Sequence, residues 1–168
     1  MIYKVSSEDT MKINGKTEID GKYKFENLIP ACASFSVSNN INISKNVTYG
    51  GTQIPFNTLI YSYGDMFYLS NNKIYSSRHA IIQVDYIVNS PEVEKEFYML
   101  LGANGNYLYV GGSSNNNGLI GCTMSGSFQF EIQTDEYITL MLGSPQTYSN
   151  KTIYAGSRLT VSVVRYLD

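Results

Sequence analysis

The chain has 168 residues, enough to bury a full core in one domain without staples, and a formal net charge of −2. Without a basic excess it lacks the electrostatic footprint of a nucleic-acid binder and the attraction that draws proteins to anionic membrane surfaces. Charged residues make up only 15%, while there are 15 tyrosines and no tryptophan. That balance suits broad, uncharged contact surfaces, and an AT-rich genome produces it equally well.

The opening MIYKVSSEDT has no basic end followed by an apolar stretch, so the product is expected to be made in a cytoplasm without a secretion leader. No segment reaches the ~18 uninterrupted apolar residues of a membrane-spanning helix, and membrane insertion is not expected. KINGKTEIDGKYKF then carries Asn14-Gly15 and Asp20-Gly21, dipeptides that accept the positive φ of tight hairpin turns. Three short strands are predicted, over residues 10–13, 16–19 and 22–25. Charged residues alternate with Ile13, Ile19, Tyr23 and Phe25, so one face is apolar. A meander this small is barely stable alone. It has to pack on the main domain, on a sister subunit or on a separate partner. Residues 1–28 are read as a candidate anchoring segment, with those four side chains as its anchoring face, although an ordinary N-terminal hairpin of the main domain has the same pattern.

The main domain is placed over residues 29–168. Strands are predicted at 31–37, 41–43, 52–61, 66–69, 73–75, 80–88, 96–101, 107–110, 119–133 with an interruption near Gly126, 137–142 and 157–167. Residues 111–118 and 143–156 are read as loops. Pro55 lacks a ladder donor, which puts its strand at an edge or in a bulge. Phe128, Phe130 and Ile132 share one face, as do Leu159, Val161 and Val163. No run carries sustained helical spacing. About ten closely spaced strands make an all-β sandwich or barrel, with a jelly roll the leading candidate.

The search for reactive chemistry returns little. His79 is the single histidine, so a catalytic triad would have to use it and a multi-histidine metal centre has no material; following Arg78 at the start of a strand, it reads as a structural or surface residue. Asp135-Glu136 reads as a solvated turn, and Glu92, Glu94 and Glu96 read as a charged strand edge that discourages sheet-to-sheet association. Cys32 and Cys122 are far apart and read as two small buried residues. No enzyme, metal or cofactor is expected.

Several segments resemble the globular head of the complement and tumour necrosis factor superfamily. ASFSV resembles its opening strand and IPFNTLIYS its next strand. Phe67-Tyr68 and Ile74-Tyr75 stand where the family has Tyr and Phe strands. IIQVDYIV, the Asn-Gly hairpin of LGANG, the paired strands of GSFQFEIQTDEYITLML and the closing SRLTVSVVRYLD follow in the family's order. The match spans residues 31–168, roughly four-fifths of the chain. Ser77-Arg78-His79 replaces the family's Pro-Gly or Gly-Gly, Thr134-Asp135 its Gly-Asp turn, and no collagen stem is present.

The resemblance implies a homotrimeric jelly-roll β-sandwich. In that arrangement an aromatic-rich, weakly charged inner sheet is buried against copies of itself, with Tyr107, Tyr109 and Tyr166 as candidate trimer-interface residues. The expected function is a non-enzymatic structural and adhesive virion protein. It would be a capsid-decoration or head-fibre protein of a bacteriophage, held to a capsid or fibre protein by the N-terminal segment. The alternative is the receptor- or glycan-binding tip of a tail fibre or a bacterial surface head. A host-surface glycan is the candidate external ligand, and the loops 39–51, 111–118 and 144–151 are the candidate contact loops.

Overall fold

Alternation in AIIQVDYIVNS sets the frame of the molecule: Ala80, Ile82, Val84, Tyr86 and Val88 all turn to one side and are buried. The computed structural model describes residues 11–13, 17–19, 30–46, 50–90, 97–111 and 122–167. An N-terminal pair, β1 (Met11–Ile13) and β2 (Thr17–Ile19), precedes β3 (Cys32–Ser36), β4 (Ile41–Lys45), β5 (Gly51–Gln53), β6 (Thr58–Tyr63), β7 (Phe67–Ser70) and β8 (Lys73–Ser76). There follow β9 (Ala80–Ser90), β10 (Tyr98–Ala103), β11 (Asn106–Gly111), β12 (Cys122–Ile132), β13 (Tyr137–Gly143), β14 (Tyr148–Ile153) and β15 (Arg158–Tyr166). No helix occurs among the described residues.

The strands form two facing antiparallel sheets. One runs β12-β9-β15-β3-β6, which brings β3 directly against β15 near the other end of the chain. The other runs β11-β10-β13-β8-β7, with β5 also on β13. β8 pairs with the start of β13 and β5 with its end. β4 and β14 make a separate two-stranded ladder. Phe35, Ile82, Val84, Met124 and Val161 of the first sheet and Ile74, Met99, Leu101, Leu140 and Leu142 of the second belong to one buried core. Each such side chain contributes about 1.5–3 kcal/mol through burial, so the core and not any cross-link holds the sandwich closed.

Asparagine shapes two of the hairpins. Asn71 and Asn72 (φ 49° and 59°) link β7 to β8, and Asn104 with Gly105 (φ 51° and 80°) links β10 to β11. Both pairs have the two consecutive positive φ angles that match the twist of the flanking strands.

Three sequence expectations change. The strand expected over 52–61 is two strands in different sheets. β5 pairs with β13, β6 pairs with β3, and residues 54–57 carry the chain across. Pro55 stands in that crossing, where the absence of an N–H breaks no ladder. The interruption expected near Gly126 does not occur: β12 pairs with β9 without a break from Cys122 to Ile132. The loop expected over 143–156 contains β14, whose Tyr148 and Ile153 are buried against the core while polar residues separate them. The third N-terminal strand expected over 22–25 lies outside the described residues, as do Glu92, Glu94, Glu96 and residues 112–118.

Candidate interaction surfaces

The apolar surface that remains exposed is concentrated on two edge strands. Among the described residues β6 pairs only with β3, and its Leu59, Ile60, Tyr61 and Tyr63 are all exposed, Tyr63 by 53%. Among the described residues β11 pairs only with β10, and it exposes Tyr107, Leu108 and Val110, Leu108 by 60%. The Tyr109 ring of β11 stacks on Phe128 of β12 at 4.4 Å, so the β11 and β12 margins share one flank. β6 is the opposite margin of the β12 sheet and lies beside β7. Two unlike apolar strips therefore face away from each other across the sandwich.

The outward face of the β12-β9-β15-β3 sheet carries a polar lattice in place of aromatic side chains. Gln129 Nε2 donates to Gln83 Oε1 at 2.7 Å, and Gln83 Nε2 donates to Asp85 Oδ1 at 3.1 Å and to Ser127 Oγ. Ser34 and Thr160 share a hydrogen bond of 3.1 Å, and Thr123 Oγ1 donates to Asn89 Oδ1 at 2.9 Å. Ile87 and Val164 are the exposed apolar breaks in this polar lattice. The period of two explains it: Tyr86 falls on the inward face, and the positions between the buried ones carry Gln, Asp, Ser and Thr. Other tyrosines stack on the opposite sheet, where Tyr68 lies over Tyr75 at 5.4 Å and Lys73 Nζ sits 4.0 Å from the Tyr137 ring.

The candidate interface tyrosines do not come together in one chain. Tyr107 is exposed on β11. Tyr109, next but one along the same strand, is half-buried by its stack on Phe128. Tyr166 ends β15 in the other sheet, half-buried, with Arg78 4.2 Å over its ring and its hydroxyl accepting from the Ala31 amide at 3.3 Å. Of the candidate anchoring residues, Ile13 and Ile19 sit on the paired strands β1 and β2, opposite Thr17 and Met11. Tyr23 and Phe25 lie outside the described residues. Sequence reasoning missed Leu59, Ile60, Leu108 and Val110 as surface residues. Pro55 pointed to an edge or bulge for the strand over 52–61, but only the strand order shows which side chains of β6 and β11 the margins expose.

Among the described residues, no group of three or more His, Cys, Asp or Glu is placed to hold a metal. His79 Nε2 donates to Glu131 Oε1 at 2.8 Å, and that hydrogen bond, helped by one from Gln133, holds the Glu131 carboxyl below its ordinary range. Burial, with a smaller contribution from Tyr109, pushes the Tyr86 hydroxyl up to about 12. Cys32 is free. Strands β9 and β15 separate its strand from that of Cys122. Three interstrand spacings amount to about 14 Å, beyond disulfide reach. No helix among the described residues is long and apolar enough to cross a membrane.

Strand order, antiparallel pairing and the two-layer core define a jelly roll of the tumour necrosis factor type. The fold of murine APRIL is similar, with a TM-score of 0.60 at 11% identity over 81% of this chain and 100% of that one. Eiger TNF from S. frugiperda is similar at a TM-score of 0.57 and 9% identity, over 83% of this chain and 94% of that one. No protein-family model matches the sequence, and no curated protein matches it.

Proposed function

We propose that this chain is a non-enzymatic structural and adhesive virion protein, a capsid-decoration or head-fibre protein of a bacteriophage that assembles as a homotrimer of jelly-roll heads. The observation that carries self-assembly is the pair of exposed apolar strands, β6 and β11, on opposite flanks. A patch that is not its own complement joins head to tail, and a head-to-tail contact closes into a ring when the rotation permits. Taking about 150–250 Å² for a whole large side chain, β6 presents roughly 400 Å² and β11 roughly 300 Å². Joined, they supply a little under half of a standard interface of about 1,600 Å². The hydroxyls and amides of the polar sheet face supply a hydrogen-bonding remainder. Among the described residues β1 and β2 pair only with each other, and they are the segment offered to a capsid or fibre protein. The alternative, a receptor- or glycan-binding tip, uses the same head at a different place of attachment.

Light scattering tests the assembly. A mass near three times the 18.8 kDa chain is expected, and Tyr61→Asp or Leu108→Asp alone is expected to yield monomers. An equimolar mixture of the two variants retains one intact β6–β11 contact and should stop at two copies. A monomeric wild type refutes the assembly. Mass spectrometry of virions purified from infected cells tests the location, and recovery only in the soluble fraction counts against it.

A further inference from the structure

The turn between β13 and β14 is held from the inside by a buried cation. The Lys45 side chain is 2% exposed. Its ammonium donates to the Ser144 carbonyl and, at 3.1 Å, to the Gln146 carbonyl. Ser144 Oγ accepts from the Gln146 amide at 3.1 Å, and the Tyr148 hydroxyl donates to the Leu142 carbonyl at 2.8 Å. The polar backbone groups of this turn are thus tied inward.

The side chains of the same turn face outward around a cup of about 260 Å³, open to solvent on one side. Phe97 and Tyr148, with ring centroids 5.2 Å apart, line it, together with Gln146, Thr147 and Ser149. Lys151 also lines the cup, its ammonium 5.5 Å from the Phe97 ring. The side chains of Gln146, Thr147 and Ser149 make no hydrogen bond among the described residues. Other polar turn residues differ. Asn40 accepts from the Ala155 amide and Asn57 from the Ser38 amide, while Asn104 bonds both Glu136 and Tyr137. Those groups are consumed in holding the backbone, whereas the groups of the cup are held still and left available.

We infer that this cup is a binding subsite for an uncharged saccharide, taking one sugar ring. An amide and two hydroxyls each offer a donor and an acceptor, which matches the alternating capacity of sugar hydroxyls. The volume falls just below the ~300–1,000 Å³ of sites for drug-sized ligands, so it admits a ring and not a chain. The walls are too polar for an apolar ligand. A turn already tied down loses little further freedom on binding, which favours even a small contact set. Neither β6 nor β11 lines the cup, so assembly through those strands leaves three copies open, and multivalency raises the avidity of a weak subsite. Only that gain in avidity rests on the proposed trimer.

The test is a printed array of neutral, sialylated and sulfated glycans probed with the full-length chain, followed by NMR titration with the free terminal monosaccharide of any glycan retained. Retention of a class of neutral glycans is expected. The double variant Gln146→Ala/Ser149→Ala should weaken monosaccharide binding about tenfold or more, as lost hydrogen bonds of this kind do, with unchanged melting temperature and assembled mass. Because both side chains are exposed, the variant is expected to fold. Retention of no neutral glycan, binding only to charged glycans that salt abolishes, or undiminished binding by the variant overturns the inference. Monosaccharide binding by a protein that scatters as a monomer upholds the cup while refuting the trimer.

Discussion

Replacing Tyr86 with Phe removes one oxygen from a place where it has no partner. The Tyr86 side chain is 2% exposed, and its hydroxyl is buried without a hydrogen bond. The ring lies against Gly126 on the neighbouring strand, close to Tyr109. A buried hydroxyl left unbonded costs about 1–3 kcal/mol. Deleting it opens a gap smaller than a methyl group, so the net gain for Tyr86→Phe at pH 7 is about 0.5–2 kcal/mol. For a chain of this size each kcal/mol raises the melting temperature by about 2–4 °C. The alkaline limb carries the second half of the prediction. The Tyr86 hydroxyl keeps its proton in the folded chain up to about pH 12, while an unfolded tyrosine releases it near pH 10. Between those values the unfolded state binds fewer protons, so stability falls as pH rises, by ~1.4 kcal/mol per unit from this group alone. The phenylalanine variant lacks that decline, and its advantage over wild type should widen by roughly 2–3 kcal/mol from pH 9 to pH 12. Urea melts of both proteins across that range make the comparison, with the other tyrosines cancelling in the difference. A loss of more than about 1 kcal/mol at pH 7, or parallel alkaline limbs, would refute the reasoning.

Gly126→Ala should destabilise by about 1–3 kcal/mol in the same melts. Its Cβ would stand 2.5 Å from the Tyr86 hydroxyl and 2.7 Å from the ring carbon Cζ. Because Cζ persists in phenylalanine, combining it with Tyr86→Phe should recover only part of the loss. Asn104→Ala should cost about 1–3 kcal/mol, because its side chain bonds Glu136 and the Tyr137 amide at a φ of 51°. Asn104→Gly keeps the backbone conformation accessible and should cost less; equal losses would place the whole effect in the hydrogen bonds. The Glu131 carboxyl should titrate by NMR below the ordinary glutamate range, chiefly because of the His79 hydrogen bond, and His79→Ala should move it up. A depressed folded value means that whatever stability this carboxylate lends is complete above pH 4.5 and disappears as the pH falls through the folded midpoint.

The alternation in β9, β12 and β15 was legible because burial on one face of a strand leaves a period of two in the residues. Asn104-Gly105 was legible because few residue pairs accept two positive φ angles in succession. Gly126 was misread as a break because glycine in a strand pattern marks either a bulge or a close approach, and only the Tyr86 ring across the ladder distinguishes them. β14 was missed because its four central residues are polar and the two that reach the core stand at its ends. Residues 52–61 were read as one strand because a crossing between sheets leaves no periodic mark beyond Pro55.

The residues by themselves determined an all-β sandwich, most of its strands and the Asn104-Gly105 turn, because those depend on local geometry and on which face of each strand is apolar, while the tumour necrosis factor type was carried by the resemblance of whole segments. Pro55 pointed to a margin for the segment that contains β6, but tertiary structure decided that β11 became one as well and which side chains the two margins expose. TLIYSY and NYLYV are as apolar as core strands, and they are exposed because pairing places β6 and β11 last in their sheets. The loop 144–151 was singled out by its polar sequence, but the cup it forms was not, since that depends on Lys45, about a hundred residues earlier in the chain, turning its ammonium toward two carbonyls. Surfaces for partners arise from such long-range placement, which no local pattern records.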